Sequence, residues 1–199
     1  ETILTVIELS DTAELALGTE QGVVKRVVAD YPAKDEFEVI TLKDGDRVVG
    51  ANLVSDSSTL VFVSNDAQLL HYSASSVRPQ GRPAGGVAGI NLSDGAKVIY
   101  FGVVSDEAKA VVVTAANSSM AIAGTDAGSL KISDLAEFPG KGRATGGVRS
   151  QRFVRGEDQL YFAWVGSEPV RALTADGKPI ELRGDKAKRD ASGTPQTAV

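Results

Sequence analysis

Apolar positions in this chain come in short runs with strand-like spacing. Residues 3–9, 47–54, 60–63, 97–104, 110–113 and 159–165 are rich in Val, Ile, Phe and Tyr and are bounded by Gly, Asp, Ser or Asn. No long window carries an apolar stripe at helical spacing, and the 21 glycines would each cost about 1 kcal/mol inside helices. The pattern predicts an all-β chain of about sixteen short strands. Phe162 and Trp164, which alternate with Ala163 on one such run, are expected in the core.

The runs repeat. Arg78-Pro79-Gln80-Gly81-Arg82-Pro83-Ala84-Gly85-Gly86-Val87 returns as Pro139-Gly140-Lys141-Gly142-Arg143-Ala144-Thr145-Gly146-Gly147-Val148. The turn Leu42-Lys43-Asp44-Gly45-Asp46-Arg47-Val48 returns as Leu92-Ser93-Asp94-Gly95-Ala96-Lys97-Val98, and more loosely around Gly156. Upstream of each basic loop lies a hairpin arm, Gly22-Val23-Val24-Lys25, then Gln68-Leu69-Leu70-His71, then Ser129-Leu130-Lys131, with Lys178-Pro179-Ile180-Glu181 as a fourth. Spacings of roughly 46 to 62 residues fall in the range of propeller blades, and the strand pattern decides against helical solenoids of similar period. The expected units are 1–42, 47–92, 97–153 and 159–190, about four four-stranded blades in one domain, with 191–199 as a disordered tail. A closed ring and an open arc fit the sequence equally.

With 199 residues and 42% hydrophobic content the chain can bury a substantial core as one domain. It has no cysteine, hence no disulfide framework and no thiolate metal site. No apolar run reaches the length of a membrane-spanning helix. A strand-like run already under way at Glu1 reads as a piece of a longer protein. The net charge of −5 is unevenly placed, since residues 1–70 hold 5 Lys or Arg against 13 Asp or Glu and residues 71–199 hold 16 against 13. Phosphate responds to local potential within a Debye length of about 10 Å, so a basic rim on an acidic body is compatible with DNA binding.

Gly22-Val23-Val24-Lys25-Arg26, the recurring Gly-Arg-x-x-Gly-Gly-Val and the Asp-Gly turn after it resemble the C-terminal repeats of the A subunits of bacterial type IIA topoisomerases, DNA gyrase and topoisomerase IV. The resemblance runs from about Ala13 to Leu182. It implies a β-pinwheel, a propeller-like array whose blades exchange strands and whose basic outer edge bends duplex DNA. It further implies a non-catalytic piece of an ATP-dependent enzyme, with cofactors (ATP and Mg2+) used elsewhere in the holoenzyme. The implied partners are double-stranded DNA, the N-terminal catalytic region of the same polypeptide, and the ATPase B subunit, in a cytoplasmic, nucleoid-associated setting. Gyrase members carry a heptapeptide close to Gln-Arg-Arg-Gly-Gly-Lys-Gly in the first basic loop. Here that loop reads Tyr31-Pro32-Ala33-Lys34-Asp35-Glu36-Phe37-Glu38, which points to the topoisomerase IV side.

Glycine lets backbone N–H groups approach phosphate, and a neighbouring guanidinium can grip the same group. The candidate DNA contacts are therefore Arg78, Arg82, Lys141, Arg143, Arg149 and Arg152 in and after the two loops, with Lys25, Arg26 and Lys131 as their strand counterparts and His71 in the second repeat. Two readings stay open beside DNA bending: surface cations that keep strand edges from pairing, and a protein-interaction module. One histidine and no cysteine exclude a transition-metal cluster, and no nucleophile elbow or phosphate-loop ending is present. Asp44 and Asp46 read as a structural turn, not as a catalytic carboxylate pair.

Overall fold

The computed structural model describes residues 3–10, 12–121, 128–173, 177–180, 182 and 185–196. In chain order the strands are β1 (Glu14–Thr19), β2 (Val23–Val27), β3 (Val48–Val54), β4 (Thr59–Ser64), β5 (Gln68–Ser73), β6 (Val87–Ala88) and β7 (Val98–Val104). They continue as β8 (Ala110–Asn117), β9 (Ser129–Asp134), β10 (Val148–Arg149), β11 (Gln159–Ser167), β12 (Ala172–Leu173), β13 (Pro179–Ile180) and β14 (Thr194–Pro195). Three-residue 3-10 turns at Ala74–Ser76, Glu107–Lys109 and Leu135–Glu137 are the helical elements among the described residues.

Three antiparallel four-stranded sheets result, ordered β3-β1-β2-β6, β10-β5-β4-β7 and β11-β8-β9-β14, with β12 and β13 as a separate pair. Each blade is a hairpin that takes its inner strand from the next repeat and its outer strand from the loop after that. No blade is therefore a contiguous segment, and the linear units expected from the sequence are interleaved in space. β7 packs against both β3 and β11, and the arc is open.

β1, β2, β4, β5 and β8 bury both faces, β4 along its whole length, while β9 buries alternate residues. Leu60 and Phe62 enter a core with Ala16, Val24, Leu70, Ile90 and Phe101 between the first two sheets. Val61 and Val63 enter the opposite core with Leu69, Val112, Leu135 and Leu160. This two-sided burial is why the runs read as near-continuous apolar stretches. Phe62 lies 4.8 Å from Phe101, ring centre to ring centre, and its burial contributes about 1.5–3 kcal/mol.

The Asp-Gly turns behave as their composition dictates. Asp46, Ala96 and Glu157 each donate from backbone N to the carbonyl three residues earlier, at 3.0 Å, past a glycine of positive φ. Asp46 Oδ1 also accepts from Gln21 N at 3.0 Å, so the carboxylate is structural.

Several expectations need correction. Residues 3–9 form no strand, since no neighbouring strand pairs with them, although Ile7 packs on the outer face of the first sheet with Tyr31, Val39 and Ile40. Residues 191–196 are not a detached tail, because Thr194 pairs with Leu130 and Pro195 with Ser129; residues 197–199 lie outside the described residues. Fourteen strands form among the described residues, and the fourth unit contributes β11 to the third sheet and otherwise only the two-stranded pair of β12 and β13. Phe162 is 47% exposed and Trp164 only half-buried. A bulge between Leu160 and Phe162 shifts the alternation and turns Tyr161 and Phe162 outward together.

Candidate nucleic-acid interface

The outer strands β6, β10 and β14 are each entered by a loop that crosses the rim of its blade: residues 78–86, 139–147 and 185–193. Register aligns the three blades. Lys25 faces Leu17, Leu70 faces Phe62 and Lys131 faces Thr114 across their hairpins, so these three side chains hold one position, while His71 shares the next position with Arg26 and Ile132. In the first loop Gln80 N donates to Arg26 O (2.9 Å) and Ala84 N to Gly81 O (3.1 Å). The third repeats this with Ala187 N on Ile132 O (2.8 Å) and Ala191 N on Lys188 O (3.0 Å). The second is anchored by Lys141 N on His71 O (3.2 Å) and Ala144 N on Gly89 O (2.8 Å).

The loops are also tied to one another. Ala84 O accepts from Thr41 N (3.4 Å), Thr145 O from Asn91 N (3.0 Å) and Ala191 O from Arg152 N (3.0 Å). Each loop thus rests on the segment that follows the loop before it, and the rim is continuous from blade to blade. In the Gly-Gly pairs the second glycine carries the constraint: Gly86 and Gly147 have φ of +81° and +73°, and a Cβ on either would lie 2.6 Å from the Val24 or Leu69 carbonyl oxygen. Among the described residues, the amides of Gly81, Arg82, Gly85, Gly142, Arg143 and Gly146 donate no hydrogen bond within the chain. N–H groups without an acceptor in the chain, beside guanidinium groups, are suited to accept an anion.

Of the cations expected there, Arg78, Lys141, Arg143, Arg149 and Arg152 are exposed. Arg143 Nη1 donates to Ala88 O at 2.6 Å and Lys141 Nζ to Gly147 O at 3.0 Å, so both are braced against the backbone. Arg82 is half-buried, its guanidinium 5.7 Å from the centre of the Phe37 ring. Phe37 lies in the same segment as Asp35, Glu36 and Glu38, which are exposed.

Lys25, Arg26 and Lys131 are corrected: they are buried and face backbone or carboxylates, not solvent. Lys25 Nζ donates to the carbonyls of Val39 (2.8 Å), Arg82 (2.5 Å) and Ala84 (2.7 Å), and burial lowers its pKa. Lys131 Nζ donates to Lys188 O (3.0 Å) and to Arg189 O. Arg26 pairs with Glu14 and, at 2.8 Å, with Asp56, and donates to Ala74 O (3.0 Å) and Val77 O (3.3 Å). Burial works against its charge, but the hydrogen bonds to Asp56 and Glu14 outweigh it and hold the guanidinium pKa above its ordinary value. His71 is buried as well, with Nε2 donating to Phe138 O at 2.9 Å.

Sequence reasoning missed the third rim loop. Lys188-Arg189-Asp190-Ala191-Ser192-Gly193-Thr194 takes the place of Gly81-Arg82-Pro83-Ala84-Gly85-Gly86-Val87, and Lys188 is exposed and Arg189 half-buried. Only the arginine and the last glycine survive from the motif. The spacing was the available signal, since Gly193 follows Gly147 by 46 residues. Lys186 in the same loop is engaged by Asp134 (2.7 Å) and Glu168 (2.9 Å). Among the described residues no three His, Asp or Glu side chains converge as a metal site, and no helix is long and apolar enough to cross a membrane.

Strand-exchanged propeller blades with a cationic outer edge define the β-pinwheel class of the type IIA topoisomerase A subunits. A family model described as "DNA gyrase C-terminal domain, beta-propeller" matches residues 38–55, 58–105 and 120–160, more than half of the chain, and the chain belongs to that family. It is 31% identical over 181 residues to the DNA gyrase A subunit of Streptomyces coelicolor, covering 85% of this chain and 20% of that protein. It is 31% identical over 156 residues to the DNA gyrase A subunit of Escherichia coli, covering 74% and 16%. The chain therefore spans a fifth or less of the length of these curated relatives. Among solved structures it is similar to the C-terminal domain of DNA topoisomerase IV, with TM-score 0.80 and 20% identity over 97% of this chain and 60% of the other. The DNA gyrase A C-terminal domain gives TM-score 0.74 and 22% identity over 94% and 62%. These two likenesses speak to fold.

Proposed function

We propose that this domain binds and bends duplex DNA without reading its sequence, and steers a DNA segment toward the catalytic region of a type IIA topoisomerase at the bacterial nucleoid. The observation that carries the reading is the set of three rim loops on one continuous edge, each offering cations and backbone amides that, among the described residues, donate to no acceptor within the chain. Such groups address phosphates and deformability, not base edges, and no α-helix is present among the described residues to enter a major groove.

Within the family, the first rim segment favours topoisomerase IV-like behaviour. Asp35, Glu36 and Glu38 stand where a wrapping domain needs cations, so the duplex is bent along the later loops without a full positive wrap. The gyrase reading has its own support, since both sequence relatives described above are gyrase A subunits.

The test is a salt-dependent mobility shift with random 40-base-pair duplexes. Arg82→Glu with Arg143→Glu should weaken binding about tenfold, or 1.4 kcal/mol, without lowering the melting temperature. Lys109→Glu, whose ammonium is already 3.0 Å from Asp106, should do far less. Equal effects, or strong preference for one random duplex, would remove the site assignment. Circle relaxation by topoisomerase I then separates the finer readings: an unchanged linking number fits bending alone, and trapped positive supercoils favour gyrase.

A further inference from the structure

We propose that Lys25 and Lys131 are positioning residues: each buried ammonium gathers the carbonyls of a rim loop beneath it and so turns the loop's amides outward, in the form that receives a phosphodiester. This rests on the DNA-binding reading above. An ammonium has three donors and no acceptor. At Lys25 all three are taken by the Val39, Arg82 and Ala84 carbonyls, and among the described residues no carboxylate pairs with it. Lys131 does the same to Lys188 and Arg189 in the third loop. In a trans peptide C=O and N–H point in opposite directions. Each carbonyl drawn inward therefore points the next amide outward, which sends the N–H groups of Gly85, Arg189 and Asp190 toward solvent. Arg82 precedes Pro83, which has no N–H to offer.

Burying a charge is costly, and an apolar side chain of similar volume would serve a purely structural role better. The second blade lacks the device. Leu70 occupies the register of Lys25 and Lys131 and lies in the apolar core between the first two sheets, so the second loop has no ammonium beneath it and is held by Lys141 N on His71 O and Ala144 N on Gly89 O.

The groups facing Lys131 make the role testable by pH. Burial lowers its pKa to about 8; Asp190 opposes this, Arg189 adds to it, and Glu137 opposes it. The Phe138 ring centre lies 5.8 Å from Nζ. Because the folded-state pKa is depressed, the unfolded chain holds the extra proton between about pH 8 and the ordinary value of 10.5. Lys131 therefore contributes rising stability across that window while its grip on the loop weakens. A residue that merely supported the fold would move DNA affinity and stability in the same direction.

The experiment titrates the 199-residue chain with a random 40-base-pair duplex at constant ionic strength, at about pH 7 and about pH 9.5, with melting curves at both. Wild-type affinity should fall about fivefold at the higher pH while the melting temperature does not follow it. Lys131→Met should bind about tenfold more weakly at pH 7 and lose most of the pH dependence. In the absence of DNA its Ala187, Ala191 and Arg152 amides should exchange faster than wild type, with the β8 amides unchanged. If the variant does not fold, the wild-type pH profile decides. Tight binding that ignores pH and Lys131→Met overturns the proposal alone, whereas no binding at either pH overturns the DNA reading and the proposal with it.

Discussion

The third rim loop leads to a quantitative prediction. Arg78, Arg82, Lys141, Arg143, Arg149 and Arg152 remain accessible on the rim after Lys25, Arg26 and Lys131 are assigned to the interior, and Lys188 and Arg189 join them. If each neutralises one phosphate, log K against log salt has a slope of about −7, from −0.9 per contact. Between about 50 and 200 mM salt the domain then loses roughly four decades of affinity. Changing Lys188 and Arg189 together to Gln should reduce the slope to about −5.4 and the loss to roughly three decades. Both side chains can be neutralised without disturbing the loop, because Lys131 holds the carbonyls of those residues and not their side chains. Fluorescence anisotropy with a labelled random duplex at five salt concentrations measures the slope directly. A slope unmoved by the double substitution, or moved equally by Lys109→Gln on the β7–β8 connection, would refute the placement of DNA along this edge.

Arg26 makes a separate prediction about stability. Arg26→Ala strands Glu14 and the Ala74 and Val77 carbonyls inside, and should cost about 3 kcal/mol, the low end for a broken buried pair because Asp56 stays 82% exposed; a urea midpoint within experimental error of wild type would show that water replaces the guanidinium. Neutralising the first rim segment by Asp35→Asn, Glu36→Gln and Glu38→Gln should tighten DNA binding about tenfold at low salt and progressively less as salt rises. An effect of the same size at 0.5 M salt would mean that the segment acts through packing on Arg82, not through charge.

Fold class, hairpins, Asp-Gly turns and the two glycine-rich loops were legible because each has a local chemical cause: two-sided burial, a turn that needs positive φ, and close approach of backbone to backbone. Strand exchange was not legible from local pattern, since β6, β10 and β14 have two residues each and carry no periodicity. The site was half legible. A cation on a strand next to a basic loop looks the same in sequence whether it points at a phosphate or at the loop's own carbonyls, and Lys25 and Lys131 do the latter. The third loop escaped because Lys188, Ser192 and Thr194 replace residues that define the motif, while the backbone bonds that shape it need no particular side chain.

One ammonium links the acidic segment to the first functional loop. Lys25 holds Val39 O, just after Glu38, together with Arg82 O and Ala84 O, and Thr41 N and Oγ1 reach Ala84 O and Pro83 O in the same loop, at 3.4 and 2.9 Å. The segment that carries the carboxylates is therefore tied to the loop that carries Arg82, whose guanidinium lies over the Phe37 ring of that segment. The next loop has no such neighbour: it rests on Gly89 and Asn91, and Arg143 is braced on Ala88 O, free of acidic residues on that segment. DNA affinity should accordingly be graded along the arc, weakest at the first loop and stronger from Lys141 onward. Single substitutions Arg82→Gln and Arg143→Gln compared at one salt concentration measure that grading. A larger loss from Arg82 than from Arg143 would place the strongest contact beside the carboxylates and reverse the electrostatic argument.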